Sequence, residues 1–402
     1  MSNIIILLSF FPWVSFGLKF GTDIQPYCLI IICLYSPYLF FYLCKKKYSI
    51  LISSSATLFF IACTVSSINN HKNLFNYEQL RYLAAYLSHL LFFLYGYYYK
   101  IKKIELNLNL LILSLVLYLI CGVVQQNINP DFFLFISPRE SSYNQFQGRG
   151  FESLSVEPTF LGIHMIIIFL ILEFTDVIKK SINDYWKYKL CMALIFINIF
   201  YISRSTLAII FSICFIISSN LKFRPISLAV ILFLLSLAYF IFYEIAVTEE
   251  YKNIRVIYLT LKILEFDFLE LLINDQSVNS RLLDIFKSIY ALNSENIFGH
   301  GLSNWYEYNK SNSIGIFTND VGEHSRIASY LGTFIFDIGI FALFYISFII
   351  IIVYDKLKIK NSNNKFFLIS IFIIFIFQSI PLTYPLLPFI FGILSYECYK
   401  KI

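Results

Sequence analysis

Residues 106–124 read LNLNLLILSLVLYLICGVV, a run without a charged side chain. A helix needs about twenty apolar residues to cross roughly 30 Å of hydrocarbon, so this run has the length and composition of a membrane span. Eleven further apolar runs lie near residues 3–18, 24–43, 48–67, 80–99, 158–175, 190–202, 205–219, 226–243, 327–353, 366–380 and 383–398. The sequence therefore predicts an all-α polytopic integral membrane protein with about twelve transmembrane helices.

The composition excludes an ordinary soluble domain. Of 402 residues, 58% are hydrophobic and only 14% are charged, whereas soluble domains have about 45 to 50% apolar and about 25% charged residues. All eight cysteines fall inside or at the edges of apolar runs. Structural disulfide bonds are therefore not expected.

The basic residues predict the orientation of the spans. Basic clusters occupy every second connector and the C-terminus, near residues 45–47, 100–103, 179–189, 222–224, 356–365 and 400–401. By the positive-inside rule these segments are cytoplasmic, and so both termini are expected inside. The predicted organisation is a bundle of about nine spans over residues 1–243 with an outer loop at 125–157, a large outer loop at 244–326, and three last spans over 327–402.

Arginine is distributed differently from lysine. On this topology only Arg224 is cytoplasmic, and the other arginines face outward: Arg81, Arg139, Arg149, Arg204, Arg255, Arg281 and Arg326. The planar guanidinium binds phosphate or carboxylate through two parallel hydrogen bonds, which is a usual reason to prefer arginine over lysine. The alternative is that long loops carry arginine by chance, because they translocate regardless of charge.

Two short elements place ionisable groups near the outer surface. Glu157 precedes Pro158, which suits a first helical position, and His164 lies two turns further on the same face. Simple helix capping by Glu157 and a hydrogen-bonded buried His164 are the alternatives to a functional role. Ser203-Arg204-Ser205 interrupts some thirty apolar residues and predicts two short spans joined by a tight turn. Arg204 is either a functional cation or a turn residue that reaches the headgroups.

The large loop contains two predicted amphipathic segments and two polar clusters. The first segment covers residues 254–271; the second begins at Ser280 as N-cap and has an apolar face of Leu282, Leu283, Phe286, Ile289 and Tyr290. Gly299-His300-Gly301 follows as a turn whose backbone could approach a ligand closely. Glu323-His324-Ser325-Arg326 then precedes the next span, so an acid, a base and a cation meet at the membrane edge.

Several chemistries have no counterpart in the sequence. We find no phosphate-binding glycine loop, dinucleotide fingerprint, zinc-ligand spacing or nucleophile elbow, and no Asp-x-Asp element. No metal site, cofactor or nucleic-acid partner is therefore expected. The spans also lack the pairs of Asp, Glu or Lys that ion-coupled transporters use. Outer arginines with neighbouring proton acceptors instead suit transfer from a lipid-linked phosphate.

Three patches in the same order resemble the O-antigen polymerase and O-antigen ligase superfamily of bacterial inner-membrane proteins. Residues 157–162 (EPTFLG) resemble the Glu-Pro-Ser-x-x-Gly element of Wzy-type polymerases, with Thr159 in place of serine. Ser203-Arg204-Ser205 resembles the Ser-Arg-Thr element at a span junction. The third patch runs from Arg281 through residues 299–301 to His324-Ser325 and on to residues 330–339, and it resembles the loop segment that polymerases and ligases share.

The resemblance implies a metal-independent, lipid-linked glycosyl transfer at the periplasmic face of the bacterial inner membrane. It favours the polymerase, which joins undecaprenyl-diphosphate-linked repeat units; the alternatives are the ligase, which transfers glycan to lipid A core, and a lipid-linked oligosaccharide flippase. The implied partners are that oligosaccharide and membrane lipid, with a chain-length regulator protein as an optional third. The implied site is His324 as base and Glu157 as a second acid or base, with Arg204, Arg281, Arg149, Arg326 and His300 binding the diphosphate and the substrate.

Overall fold

A computed structural model describes a large part of the chain. The described residues are 2–15, 24–45, 77–133, 135–136, 150–175, 182–205, 276–292, 297–311, 329–357 and 380–399, with isolated positions at 56, 60, 63, 64, 208, 209, 211, 212, 215 and 327. All regular secondary structure in these ranges is helical. The predicted spans at 226–243 and 366–380 and the amphipathic segment at 254–271 lie outside the described residues, apart from position 380.

Several helices match apolar runs in the first half of the chain, whereas the predicted span at 48–67 is described only at isolated positions. Their bounds are α1 Ser2–Ser9, α2 Tyr27–Cys44, α3 Tyr77–Ile101, α4 Leu108–Asn127, α5 Pro158–Phe174, α6 Ile182–Ile197 with a π-helical end at Asn198–Ser203, α7 Gln276–Tyr290, α8 Trp305–Ser311, α9 Tyr330–Ile338, α10 Phe341–Leu357 and α11 Leu386–Tyr399. Among the described residues, three helices are long and apolar enough to cross a membrane, namely Tyr27–Cys44, Leu108–Asn127 and Asn183–Ser203. Shorter apolar helices run over Pro158–Phe174, Phe341–Ile352 and Leu386–Tyr396.

Side-chain contacts show which helix ends lie together. The Lys100 ammonium donates a hydrogen bond to the Phe174 carbonyl over 3.3 Å, which joins the C-terminal ends of α3 and α5. Asn198 on α6 donates to the Leu115 carbonyl of α4 over 3.2 Å, and Ile202 lies against Gly122 further along both helices. Hence α4 and α6 run in the same direction. Both relations agree with the alternation of spans that the basic clusters predict.

The first predicted span is shorter than its apolar run. The run covers residues 3–18, but α1 ends at Ser9, before Pro12. The Pro12 carbonyl accepts a hydrogen bond from the Gln25 amide over 2.8 Å, so the chain folds back toward α2 at this point. Proline lacks an amide hydrogen and clashes with the preceding turn, which explains why the helix stops early.

The predicted span at 327–353 is not one helix, and this part of the prediction is wrong. Helix α9 ends at Ile338, Gly339 adopts a φ of +55° and a ψ of −130°, and α10 begins at Phe341. Only glycine adopts such a backbone conformation at low cost, so the apolar run contains a fixed break. The amide of Ile340 donates to the Ile297 carbonyl over 2.9 Å, which attaches the break to the large loop.

The cysteines in the described ranges agree with the prediction that disulfide bonds are absent. Six of them are free thiols: Cys28, Cys33, Cys44, Cys63, Cys121 and Cys191. Cys28, Cys63, Cys121 and Cys191 are buried among apolar side chains, which is the ordinary place for a small hydrophobic residue.

Candidate functional site

The segment before α5 is held firmly against α4. The Gln125 side chain accepts a hydrogen bond from the Ser153 amide over 2.6 Å and donates one to the Ser153 carbonyl over 3.3 Å. The Ser153 hydroxyl donates to the Tyr118 carbonyl over 2.5 Å, and Ser153 itself has a φ of +56°. The Ser155 hydroxyl donates to the Glu157 carbonyl over 2.8 Å. These contacts fix the chain that delivers Glu157 to the helix start.

Glu157 occupies the position that the sequence predicts, directly before the first turn of α5. Its backbone is extended, with φ of −151° and ψ of 152°, and Pro158 stands at the first helical position. The Glu157 side chain makes no capping hydrogen bond to the helix. Capping, the simplest alternative to a functional role, therefore does not account for this half-buried carboxylate. Its catalytic role stays a prediction.

Arg204 lies at the junction where α6 ends. The helix finishes in a π-helical turn, and the Arg204 amide donates to the Ile199 carbonyl over 2.9 Å. Arg204 then adopts a left-handed conformation with φ of +47° and ψ of 27°, and helical geometry resumes at Ala208. The predicted break in the long apolar run is confirmed. The guanidinium is exposed, with Nε donating to the Tyr201 carbonyl over 3.2 Å.

The structure brings the first two patches together. A Cβ added to Gly162 would lie 2.7 Å from the Ser205 Cβ and 2.9 Å from the Ser203 hydroxyl, so α5 touches the Arg204 junction at its first turns. The Phe151 amide donates to the Ile202 carbonyl over 2.8 Å, which joins the same junction to the segment before Glu157. A carboxylate and a guanidinium that are far apart in sequence thus belong to one end of the helix bundle. We call this group of residues, 150–162 and 202–205, the Arg204 junction.

His164 is a buried structural residue in this geometry. It is fully buried, its Nδ1 lies 2.6 Å from the Tyr384 hydroxyl, and its Nε2 lies 3.0 Å from the Phe10 carbonyl. A carbonyl can only accept, so Nε2 donates and Nδ1 accepts from Tyr384. The Trp13 ring packs edge-on against the imidazole at 4.9 Å. The hydrogen-bonded buried histidine that the sequence left as an alternative is confirmed.

The second amphipathic segment forms a helix, and three side chains of its predicted apolar face point outward. Helix α7 begins at Gln276, so Ser280 lies inside the helix and the prediction that it is the N-cap is wrong. The side chains of the predicted apolar face are exposed by 55%, 51% and 73% at Phe286, Ile289 and Tyr290. The inward face instead buries Leu283 with three polar residues, Asp284, Lys287 and Ser288.

Hydrogen bonds explain the inward polar face of α7. The Lys287 ammonium donates to the Asn309 side chain of α8 over 2.6 Å, and the Ser288 hydroxyl donates to the Asp284 carbonyl over 2.6 Å. A buried polar face is acceptable when its groups are paired, and an outward apolar face is acceptable beside lipid. Arg281 lies in the second turn of this helix.

The Gly299-His300-Gly301 turn approaches another part of the chain. The amides of His300 and Gly301 donate to the carbonyls of Phe336 and Asp337 over 2.8 and 3.1 Å, which caps the C-terminal end of α9. The His300 ring stacks on Phe336 at 4.8 Å, and its Nε2 donates to the Ala291 carbonyl over 2.9 Å. The close backbone approach that the glycines predict is therefore satisfied by α9. A substrate contact of His300 would have to use Nδ1, and that role stays a prediction.

The structure does not describe the side chains of the four other predicted site residues. Arg149, His324 and Arg326 lie outside the described residues, and Arg281 is described only by its place in α7. Within the described part of the chain, no group of three or more His, Cys, Asp or Glu side chains could hold a metal ion.

Several buried ionisable residues were not singled out from the sequence, among them Asp337 and His89. Asp337, 2% exposed, accepts a hydrogen bond from the Tyr86 hydroxyl over 2.8 Å. His89, also 2% exposed, lies 2.6 Å from the Tyr330 hydroxyl and 2.5 Å from the Tyr345 hydroxyl. Asp337 is the only charged residue of its predicted apolar run at 327–353, and His89 lies in the middle of the run at 80–99. These positions are the signal that could have identified them.

Comparison with protein-family models and with curated proteins finds no match for this chain. The family resemblance therefore rests on the three sequence patches alone and stays an expectation.

Proposed function

We propose that this chain is an O-antigen polymerase, a metal-independent membrane glycosyltransferase that joins undecaprenyl-diphosphate-linked repeat units at the periplasmic face of the bacterial inner membrane. The observation that carries the proposal is the Arg204 junction. There, a helix start that presents Glu157 packs against a turn that presents an exposed, permanently charged guanidinium. The twelve-span topology, with both termini in the cytoplasm, is part of the same proposal.

The proposed chemistry uses these groups in distinct roles. A hydroxyl of the acceptor repeat unit attacks the anomeric carbon of the donor glycan, and the bond from that carbon to the diphosphate breaks. Arg204 and Arg281, with Arg149 and Arg326, bind the two diphosphates and stabilise the charge on the one that leaves. The hydroxyl proton goes to His324, and Glu157 is the second acid or base at the site.

The outward apolar face of α7 supports a location of the loop beside the membrane. Its outward side chains Phe286, Ile289 and Tyr290 form one stripe at helical spacing. Phe298, exposed by 48%, stacks on Phe341 at the start of the apolar helix α10 over 5.7 Å. An apolar stripe on a loop helix suits the boundary between headgroups and acyl chains, where a lipid-linked substrate carries its diphosphate.

The test is the length of lipopolysaccharide chains in a deletion strain complemented with variants. Deletion should leave lipid A core capped by a single repeat unit. Arg204→Lys should lower the yield of long polymer at least about tenfold, because lysine cannot form the bidentate contact with the diphosphate. Arg224→Lys is the matched control, since the predicted topology places Arg224 on the cytoplasmic side, and it should keep the full ladder.

Other outcomes would identify the alternatives. Bare core together with polymer still on the lipid carrier would indicate the ligase and overturn the proposal. Bare core with single repeat units that stay on the cytoplasmic side would indicate the flippase. Repeat units that are translocated normally by Arg204→Lys but not elongated would exclude the flippase.

A further inference from the structure

A buried cluster of hydrogen-bonded side chains lies apart from the Arg204 junction and has no role in the proposed transfer. It is formed by α3 and by the two helices on either side of the Gly339 break. Its members are Tyr86, His89, Tyr330, Phe334, Asp337 and Tyr345.

The His89 imidazole bridges the break. Its Nδ1 lies 2.6 Å from the hydroxyl of Tyr330, the first residue of α9, and its Nε2 lies 2.5 Å from the hydroxyl of Tyr345 on α10. A neutral imidazole has one donor and one acceptor, so one tyrosine donates and the other accepts. A single ring on α3 therefore holds one residue from each half of the divided helix.

A second contact on the same face of α3 completes the attachment. Tyr86, three residues before His89, donates to the Asp337 carboxylate near the end of α9 over 2.8 Å. Phe334 lies between these groups, with ring centres 5.6 Å from Tyr86, 5.5 Å from His89 and 4.9 Å from Tyr345. Both ends of α9 are thus tied to α3, and so is the beginning of α10.

The break that this cluster fixes is also the place where the loop attaches. The carbonyls of Phe336 and Asp337 accept the amides of His300 and Gly301, and the Ile340 amide donates to Ile297. The angle between α9 and α10 therefore determines where the 297–301 turn lies. Buried hydrogen bonds that fix such an angle stabilise it, and removing one partner leaves the other polar group buried and unsatisfied.

We propose that His89 is a positioning residue that bridges Tyr330 and Tyr345 across the Gly339 break and thereby fixes the 297–301 turn of the large loop. Its consequence for glycosyl transfer, a lower turnover with unchanged affinity for the lipid-linked substrate, rests on the proposed function. The positioning itself does not, because it concerns only the geometry of the chain.

Hydrogen exchange of the full-length protein in lipid nanodiscs tests this inference. His89→Leu should speed amide exchange about tenfold or more in peptides that cover 297–301 and 335–340, because one to two buried hydrogen bonds are lost. His89→Gln should restore most of the protection, since an amide side chain can both donate and accept. Exchange in residues 160–172 of α5 should not change in either variant.

His164→Leu is the matched control. That histidine is equally buried and also contacts a tyrosine hydroxyl, but it connects α5 to Tyr384 and Phe10. It should leave exchange at 297–301 unchanged. Equal acceleration by both leucine variants would show general destabilisation and overturn the inference, as would unchanged exchange in His89→Leu.

A smaller change keeps the test available if His89→Leu does not fold. Tyr345→Phe removes one hydroxyl and keeps the ring, and it should speed exchange at 297–301 about threefold. No change there would contradict the bridge. Faster exchange together with normal polymer length would retain the positioning but refute its link to the proposed function.

Discussion

Two junctions divide apolar runs of this chain, and they are built in opposite ways. At the Arg204 junction a charged, exposed residue takes the left-handed conformation, and serines on either side pack against α5. At Gly339 the break is buried, uncharged and fixed by backbone contacts with the 297–299 segment. The first junction presents a side chain to its surroundings, whereas the second positions other parts of the molecule. Substitutions at the two should therefore separate function from stability.

The largest effect is expected at Gly339. A Cβ there would lie 2.3 Å from both the Gly299 amide nitrogen and the Ile297 carbonyl oxygen, at a φ of +55°. Backbone atoms on both sides cannot give way, so Gly339→Ala should lower the free energy of unfolding by more than about 3 kcal/mol. Thermal unfolding of the protein in nanodiscs measures this. Gly332→Ala is the control, because that glycine is helical and its nearest new contact, the Ser288 hydroxyl, is at 3.1 Å.

A control variant as unstable as Gly339→Ala would mean that any addition to α9 is damaging. The break would then have no special part in the stability of the chain.

Gly162→Ala should have an intermediate effect at the Arg204 junction. The new Cβ would lie 2.7 to 2.9 Å from the Ser205 and Ala208 Cβ atoms, which move only with their backbone, and from the Ser203 hydroxyl, which can rotate. We expect a loss of about 1 to 3 kcal/mol in unfolding free energy, with a displaced junction. Polymer length should fall together with stability, and the same thermal scan with the lipopolysaccharide gel checks both. Full-length polymer at lowered stability would contradict a site at this junction.

The sequence predicts the two junctions unequally, for a physical reason. An arginine among thirty apolar residues is costly unless it reaches a surface, so the break at Arg204 can be predicted from composition alone. Glycine is tolerated inside membrane helices, so Gly339 gives no such signal. What makes it a break is contact with residues 297–299, which are close only after folding.

The dependence on contacts that form only after folding also explains why other buried polar groups were not predicted. The helical spacing of Phe286, Ile289 and Tyr290 predicts an amphipathic helix, but spacing does not show which face turns inward. That choice depends on Asn309, which pairs with Lys287. His89 and Asp337 likewise have partners on other helices. Element types followed from local pattern, whereas the buried polar contacts depended on tertiary structure.

The smallest effect on stability, and the sharpest separation of the two junctions, is expected for Arg204→Gly. A residue with a side chain costs about 1 to 2 kcal/mol in the left-handed conformation, and glycine removes this cost. Glycine also gives the unfolded chain more conformational freedom, which lowers stability by about 0.5 to 1 kcal/mol. The lost hydrogen bond from Nε to the Tyr201 carbonyl is exposed and weak. The net change in unfolding free energy should therefore stay within about 1 kcal/mol.

Because the guanidinium is lost, chain elongation should nevertheless fail in Arg204→Gly. A variant that unfolds at the normal temperature and leaves lipopolysaccharide with one repeat unit would assign Arg204 to the transfer rather than to the fold. Long polymer from this variant would remove the arginine from the site. Substitution of Gly339 cannot separate function from folding in this way, because every side chain there disturbs the large loop and the α9–α10 pair together.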